Sequence, residues 1–163
     1  MRNSLIALLA IAAISSSPPC QDASRQPSLR MFIGDWRVTS LRADGGSSNW
    51  ARTYSVAVRD SSVLVWIDRS SQETVVARGF LGRDPRTGLF YYISVFPSAP
   101  PASITGHPTS DGAIDWRVVP LPNSDHPFNR ELVASRLTFT GNDRMDWIGE
   151  RSAGWHFIFE RVK

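Results

Sequence analysis

From residue 34 almost to its last position, this chain alternates apolar and polar side chains, and short turn sequences cut that pattern into about ten segments. A period of two places neighbouring side chains on opposite faces of a sheet. A helix needs apolar residues three and four apart, and no window of useful length has that spacing. The segments therefore read as strands over 34–43, 50–59, 62–69, 73–83, 88–96, 102–107, 113–119, 131–140, 143–151 and 155–162. Between them lie Asp44-Gly45-Gly46, Asp84-Pro85-Arg86-Thr87-Gly88, Ser110-Asp111-Gly112 and Thr140-Gly141-Asn142-Asp143, which supply positive or preset φ. Wider, proline-interrupted loops are expected over 97–101 and 120–127. Short connections make successive strands antiparallel neighbours, and closing such a meander into an up-and-down barrel removes its open edges. The expected fold class is all-β, an antiparallel barrel of about ten strands.

The apolar parity of each strand marks its inner face. Trp155, Phe157 and Phe159 share one parity with Arg161, while His156 and Glu160 share the other with Ile158. By the same test Ile114, Trp116 and Val118 point inward, as do Met145 and Trp147, and Tyr54, Val56 and Val58. The stretches 63–67 and 89–96 are apolar on both parities, so their direction is open and a cover on their outer face is expected.

The first residues stand apart from this pattern. Arg2, the apolar run 5–14 and Ser15-Ser16-Ser17 have the layout of a signal peptide, and a run that short does not span a bilayer as a helix. Residues 1–17 are thus expected to be a signal peptide, 18–30 a tether rich in Pro, Ser and Gln with a short helical turn from about residue 29, and 31–163 the barrel. The destination is periplasmic or secreted. Cys20 admits two outcomes: lipidation as a membrane anchor, as in bacterial lipoproteins, or a free thiol in the tether after cleavage near Ser15. A single cysteine excludes an intrachain disulfide.

The formal charge is +3, and removing Arg2 leaves +2. Arg37, Arg59, Arg78, Arg117 and Arg136 occur singly along strands, so no nucleic-acid footprint is expected. His107, His126 and His156 have no metal-ligand spacing, and neither a metal nor a cofactor is expected. His107 and His126 lie beside prolines and are assigned to loops, His156 to an outer face. No Gly-x-Ser-x-Gly elbow is present, and Asp143 with Asp146, or Glu150 with Glu160, falls in turns or on outer parities. A non-catalytic role follows. Six tryptophans are many for 163 residues. With Tyr54 and Tyr92 as polar handles, Trp66, Trp116, Trp147 and Trp155 are the candidate walls of a cavity for a small apolar or amphipathic ligand. The alternative is an interior filled by those same side chains.

Gly34-Asp35-Trp36 at the start and Arg161 near the end of an aromatic final strand resemble the lipocalin or calycin pattern. In those barrels the Gly-x-Trp indole seals one end and a C-terminal arginine stacks across it, which implies structural roles for Gly34, Trp36 and Arg161. Residues 32–163 also resemble a group of small exported bacterial lipocalin-like proteins of unassigned function. The shared features are the turn from Gly82 to Gly88 before Phe90-Tyr91-Tyr92, and Glu150 with Gly154-Trp155. Ten strands rather than eight, and no disulfide, separate the chain from classical lipocalins. The resemblance implies an exported barrel that holds a small ligand, or an envelope interaction module with a packed barrel.

Overall fold

A computed structural model describes residues 26–57, 60–97, 99–118, 134–149 and 154–163. The expectations for Cys20, Val58, Arg59, His126, Glu150, the signal peptide and the loop over 120–127 lie outside the described residues. A short 3-10 turn, Leu29–Met31, precedes ten strands. They are β1 (Gly34–Leu41), β2 (Ser47–Ala57), β3 (Asp60–Arg69), β4 (Val75–Arg83), β5 (Phe90–Phe96), β6 (Ala99–Pro108), β7 (Ile114–Val118), β8 (Ala134–Thr140), β9 (Arg144–Gly149) and β10 (His156–Arg161). Every neighbouring pair is antiparallel, and β1 pairs with both β2 and β10, so the sheet closes on itself as an up-and-down barrel.

The turns work as their chemistry demands. Asp84 accepts hydrogen bonds from the Arg86 backbone N–H (2.8 Å) and the Thr87 hydroxyl (3.0 Å), while Gly88 takes φ +74° before β5 begins. Those bonds favour the carboxylate and hold the Asp84 pKa below the usual range. β4 starts two residues later than the alternation suggests, because Glu73 turns the chain at φ +61°.

Parity marks the inside for most of the barrel. Trp36, Val38, Tyr54, Ile114, Trp116, Met145, Trp147, Trp155 and Phe159 are all buried. The two ambiguous stretches also resolve: Leu64, Trp66, Phe90 and Tyr92 turn inward, while Tyr91 and Ile93 lie exposed on the outer face, as does Phe80 of β4. Val56 departs from expectation. It has the inward parity of Tyr54 but is 49% exposed, because it sits at the barrel rim beside a register shift between β2 and β3. The proline-rich stretch after Phe96 also corrects the sequence reading. The expected loop over 97–101 is shortened, since β6 already begins at Ala99, next to a register shift against β5. Proline is tolerated at a strand start or a bulge, where its missing N–H breaks no ladder bond. His107 accordingly lies in β6, exposed, and not in a loop.

Candidate functional site

One end of the barrel is plugged. Phe32, just after the 3-10 turn, packs against Tyr54, Phe90 and Phe139 with ring centroids 5.4–6.3 Å apart. Its carbonyl accepts a 2.6 Å hydrogen bond from the Trp36 indole. The Arg161 guanidinium lies 4.1 Å from the centre of the Trp36 ring and donates to the carbonyls of Met31 (2.9 Å), Asn142 (2.9 Å) and Ile33. Gly34 has φ +126°, and a Cβ there would fall 2.6 Å from Arg161 Nη1. Both the backbone and the arginine therefore demand glycine.

The middle layer is filled by indoles seated against glycines. Trp66 and Gly79 are direct register partners, as are Trp116 and Gly106. A Cβ on Gly79 would lie 2.6 Å from the Trp66 ring and 1.8 Å from the Ile93 carbonyl, and one on Gly106 would lie 2.8 Å from Trp116. Trp155 rests on Gly149 in the same way. Large residues opposite small ones are how a narrow barrel is filled without voids.

Toward the other end the small residues continue, but without indoles as register partners. Ala77 and Ser94 are buried opposite Asp68 and Gly79 in the register, and a cavity of about 170 Å³ remains. Trp50, Trp66, Trp147, Phe96, Phe157 and Phe159 contribute its aromatic walls, with Tyr92 beside them. Arg52 and Asp68 supply its only charges among the described residues. These two are register partners, 6% and 4% exposed. Arg52 donates from Nε to Asp68 Oδ1 (2.5 Å) and from Nη2 to Oδ2 (2.6 Å), and from Nη1 to the Tyr54 hydroxyl (3.1 Å). Its guanidinium also lies 4.3 Å from the centre of the Trp66 ring. Burial is the largest single influence and opposes that charge, but Asp68 together with Tyr92 and Tyr54 outweighs it, so the guanidinium is held protonated above its ordinary range. Burial pushes the Tyr54 and Tyr92 phenols up, against the pull of Arg52.

Of the six expected ligand-wall residues, Trp66, Tyr92 and Trp147 line this cavity. Tyr54 lies beneath it, bonded to Arg52, and Trp116 and Trp155 are seated elsewhere in the core. Trp147 donates to the Ser135 hydroxyl at 2.8 Å, whereas the buried indole nitrogens of Trp50 and Trp66 have no partner among the described residues. The Arg52–Asp68 pair is the feature that sequence reasoning missed. Its signal was present, since Arg52 shares the parity of Tyr54 and Asp68 that of Trp66. No group of three or more metal-capable side chains occurs among the described residues. On the outer face, His156 Nε2 lies 2.8 Å from Asp146, which also accepts two bonds from Arg144.

No family model matches the chain. No curated protein matches it either. Among solved structures it is similar to a redesigned β-barrel, 14% identical, with a TM-score of 0.46 over 82% of this chain and 94% of that one.

Proposed function

We propose that this chain is a non-catalytic binding barrel, lipocalin-like in its closure by Gly34, Trp36 and Arg161, that holds a compact small molecule in the cavity above Arg52 and Asp68. The observation that carries this reading is the cavity itself: about 170 Å³ between aromatic walls and a buried, charge-compensated floor. Cavities of about 150 Å³ take up a benzene ring, so the occupant is of single-ring size. Fatty acids, retinoids and haem exceed that volume. Burying roughly 250 Å² of such a ligand at about 25 cal/mol per Å² gives about 6 kcal/mol, a Kd on the order of tens of micromolar. The wall tryptophans report occupancy directly. Saturable quenching of their emission by single-ring compounds, without a response to palmitate or haem, is the expected result. Complete indifference to single-ring compounds overturns the reading.

Export to the periplasm or beyond belongs to the same proposal and rests on the leader-like residues 1–17. A diacylglyceryl mass increment on Cys20 in protein isolated from its own envelope would make it a membrane anchor; its absence would leave a free, exported barrel. A second reading, an envelope interaction module, is favoured by one observation. Phe80, Tyr91 and Ile93 stand exposed together on β4 and β5, with Phe80 opposite Ile93 in the register. A single sedimentation species at the monomer mass at high concentration, with Phe80→Ser changing nothing, would remove self-association from that reading.

A further inference from the structure

Beside the Tyr92 and Ser94 hydroxyls, which bond each other, the residues lining the cavity carry N–H donors without acceptors, and its two charges already cancel. Guanidinium carries five N–H groups, and among the described residues three of those on Arg52 find acceptors, two at Asp68 and one at Tyr54. One N–H on each terminal nitrogen is left over. The Trp66 indole N–H, on a side chain 1% exposed, has no acceptor among the described residues, and the buried Trp50 indole nitrogen is in the same position. A hydrocarbon in this space leaves buried donors unsatisfied, which is costly. An anion faces a different obstacle: Arg52 is committed bidentately to Asp68, so a second negative charge would be buried beside the Asp68 carboxylate. A cation would meet Arg52 itself.

We infer that the occupant is a neutral, flat, single-ring molecule bearing a hydrogen-bond acceptor oxygen or nitrogen, held by the spare N–H groups of Arg52 and the indole N–H of Trp66. This inference rests on the binding-barrel reading above and narrows it to one ligand class. The ring stacks on the aromatic walls, where flat faces gain most from contact, and the acceptor satisfies the donors. Asp68 acts on selectivity without touching the ligand: it neutralises Arg52 and so turns an anion site into a site for neutral acceptors.

Three ring compounds of nearly the same shape separate the possibilities: acetophenone, α-methylstyrene and benzoate, titrated into the whole mature protein by calorimetry and by saturation-transfer NMR. The expected result is that acetophenone binds at least as tightly as α-methylstyrene, although the hydrocarbon is far more averse to water, and that benzoate binds at least tenfold more weakly than acetophenone. In the double variant R52M/D68L, the affinity ratio shifts at least tenfold toward α-methylstyrene. Tightest binding of the hydrocarbon or of benzoate by the unaltered protein overturns the inference while leaving the binding-barrel reading intact. An unmoved ratio in a folded double variant does the same. If none of the three binds, the binding-barrel reading fails and this inference with it. The titration of the unaltered protein decides the matter even if the double variant does not fold.

Discussion

Removing one member of the Arg52–Asp68 pair should cost far more than removing both. In Asp68→Asn, the guanidinium keeps one carbonyl acceptor but loses the second oxygen to an amide that can only donate. Its charge also stays buried, with Arg52 just 6% exposed. Breaking a buried ion pair in this way typically costs about 3–5 kcal/mol. For a barrel running from Gly34 to Arg161, unfolding entropy of about 2.1 cal/mol/K per residue sums to roughly 0.27 kcal/mol/K, so Tm should fall by about 10–20 °C. The double variant R52M/D68L exchanges both charges for apolar side chains of similar reach. Replacement of whole buried pairs is often neutral or stabilising, and here about 1–3 kcal/mol is set against it because the Tyr54 hydroxyl loses its donor. Thermal and urea unfolding of the two variants measure both quantities. The exposed pair of Arg136 with Asp111, 2.5 Å apart, is the control, and Asp111→Asn should barely move Tm. The reasoning is refuted if Asp68→Asn costs less than about 1 kcal/mol, or if the double variant is less stable than the single one.

At the plugged end, Arg161→Ala should cost about 2–4 kcal/mol in urea unfolding, since it removes a cation–π contact of about 1–2 kcal/mol and frees the carbonyls of Met31, Ile33 and Asn142. Arg161→Lys should recover less than half of that, because one ammonium cannot bond several carbonyls while lying flat on Trp36. Gly79→Ala should destabilise by about 3 kcal/mol or more, at the upper end for overpacking, because its new Cβ meets the Ile93 carbonyl as well as Trp66; an alanine variant with unchanged Tm contradicts the seating of the indole. The phenols of Tyr54 and Tyr92 are raised above the ordinary value of 10.0, by burial first, so the stability they contribute is complete below pH 10 and is lost as pH rises above it. Absorbance at 295 nm should therefore show two of the three tyrosines ionising together with loss of the barrel's near-ultraviolet circular dichroism. Ala77→Leu should fill part of the 170 Å³ cavity and abolish quenching by single-ring compounds while raising Tm or leaving it unchanged; retained binding would place the ligand elsewhere.

Strand number, antiparallel order and most inward residues were legible from alternation, because a closed sheet wets one face and buries the other, and a period of two records that division residue by residue. The record fades where both faces are apolar, as at Val63, Val65, Tyr91 and Ile93, and only closure decided that Leu64, Trp66, Phe90 and Tyr92 go inside. It also fails where register matters. Arg52 and Asp68 carry inward parity, yet as charges they read as exterior; it takes their direct pairing across β2 and β3 to make burial affordable. Glycine weakens a strand, and the purpose of Gly79 and Gly106 is visible only when Trp66 and Trp116 are found opposite them. The same rule locates the cavity. Where an inward small residue pairs in register with an indole the barrel is solid, and where Ala77 and Ser94 pair with Asp68 and Gly79 it is open. The tryptophan count alone therefore could not separate a filled barrel from one with space inside, and both descriptions hold here, the first around Trp116 and Trp155 and the second above Arg52. On the proposed binding reading, what discriminates between ligands is then the floor of the open part, whose charges cancel and whose Arg52 keeps two N–H groups without acceptors.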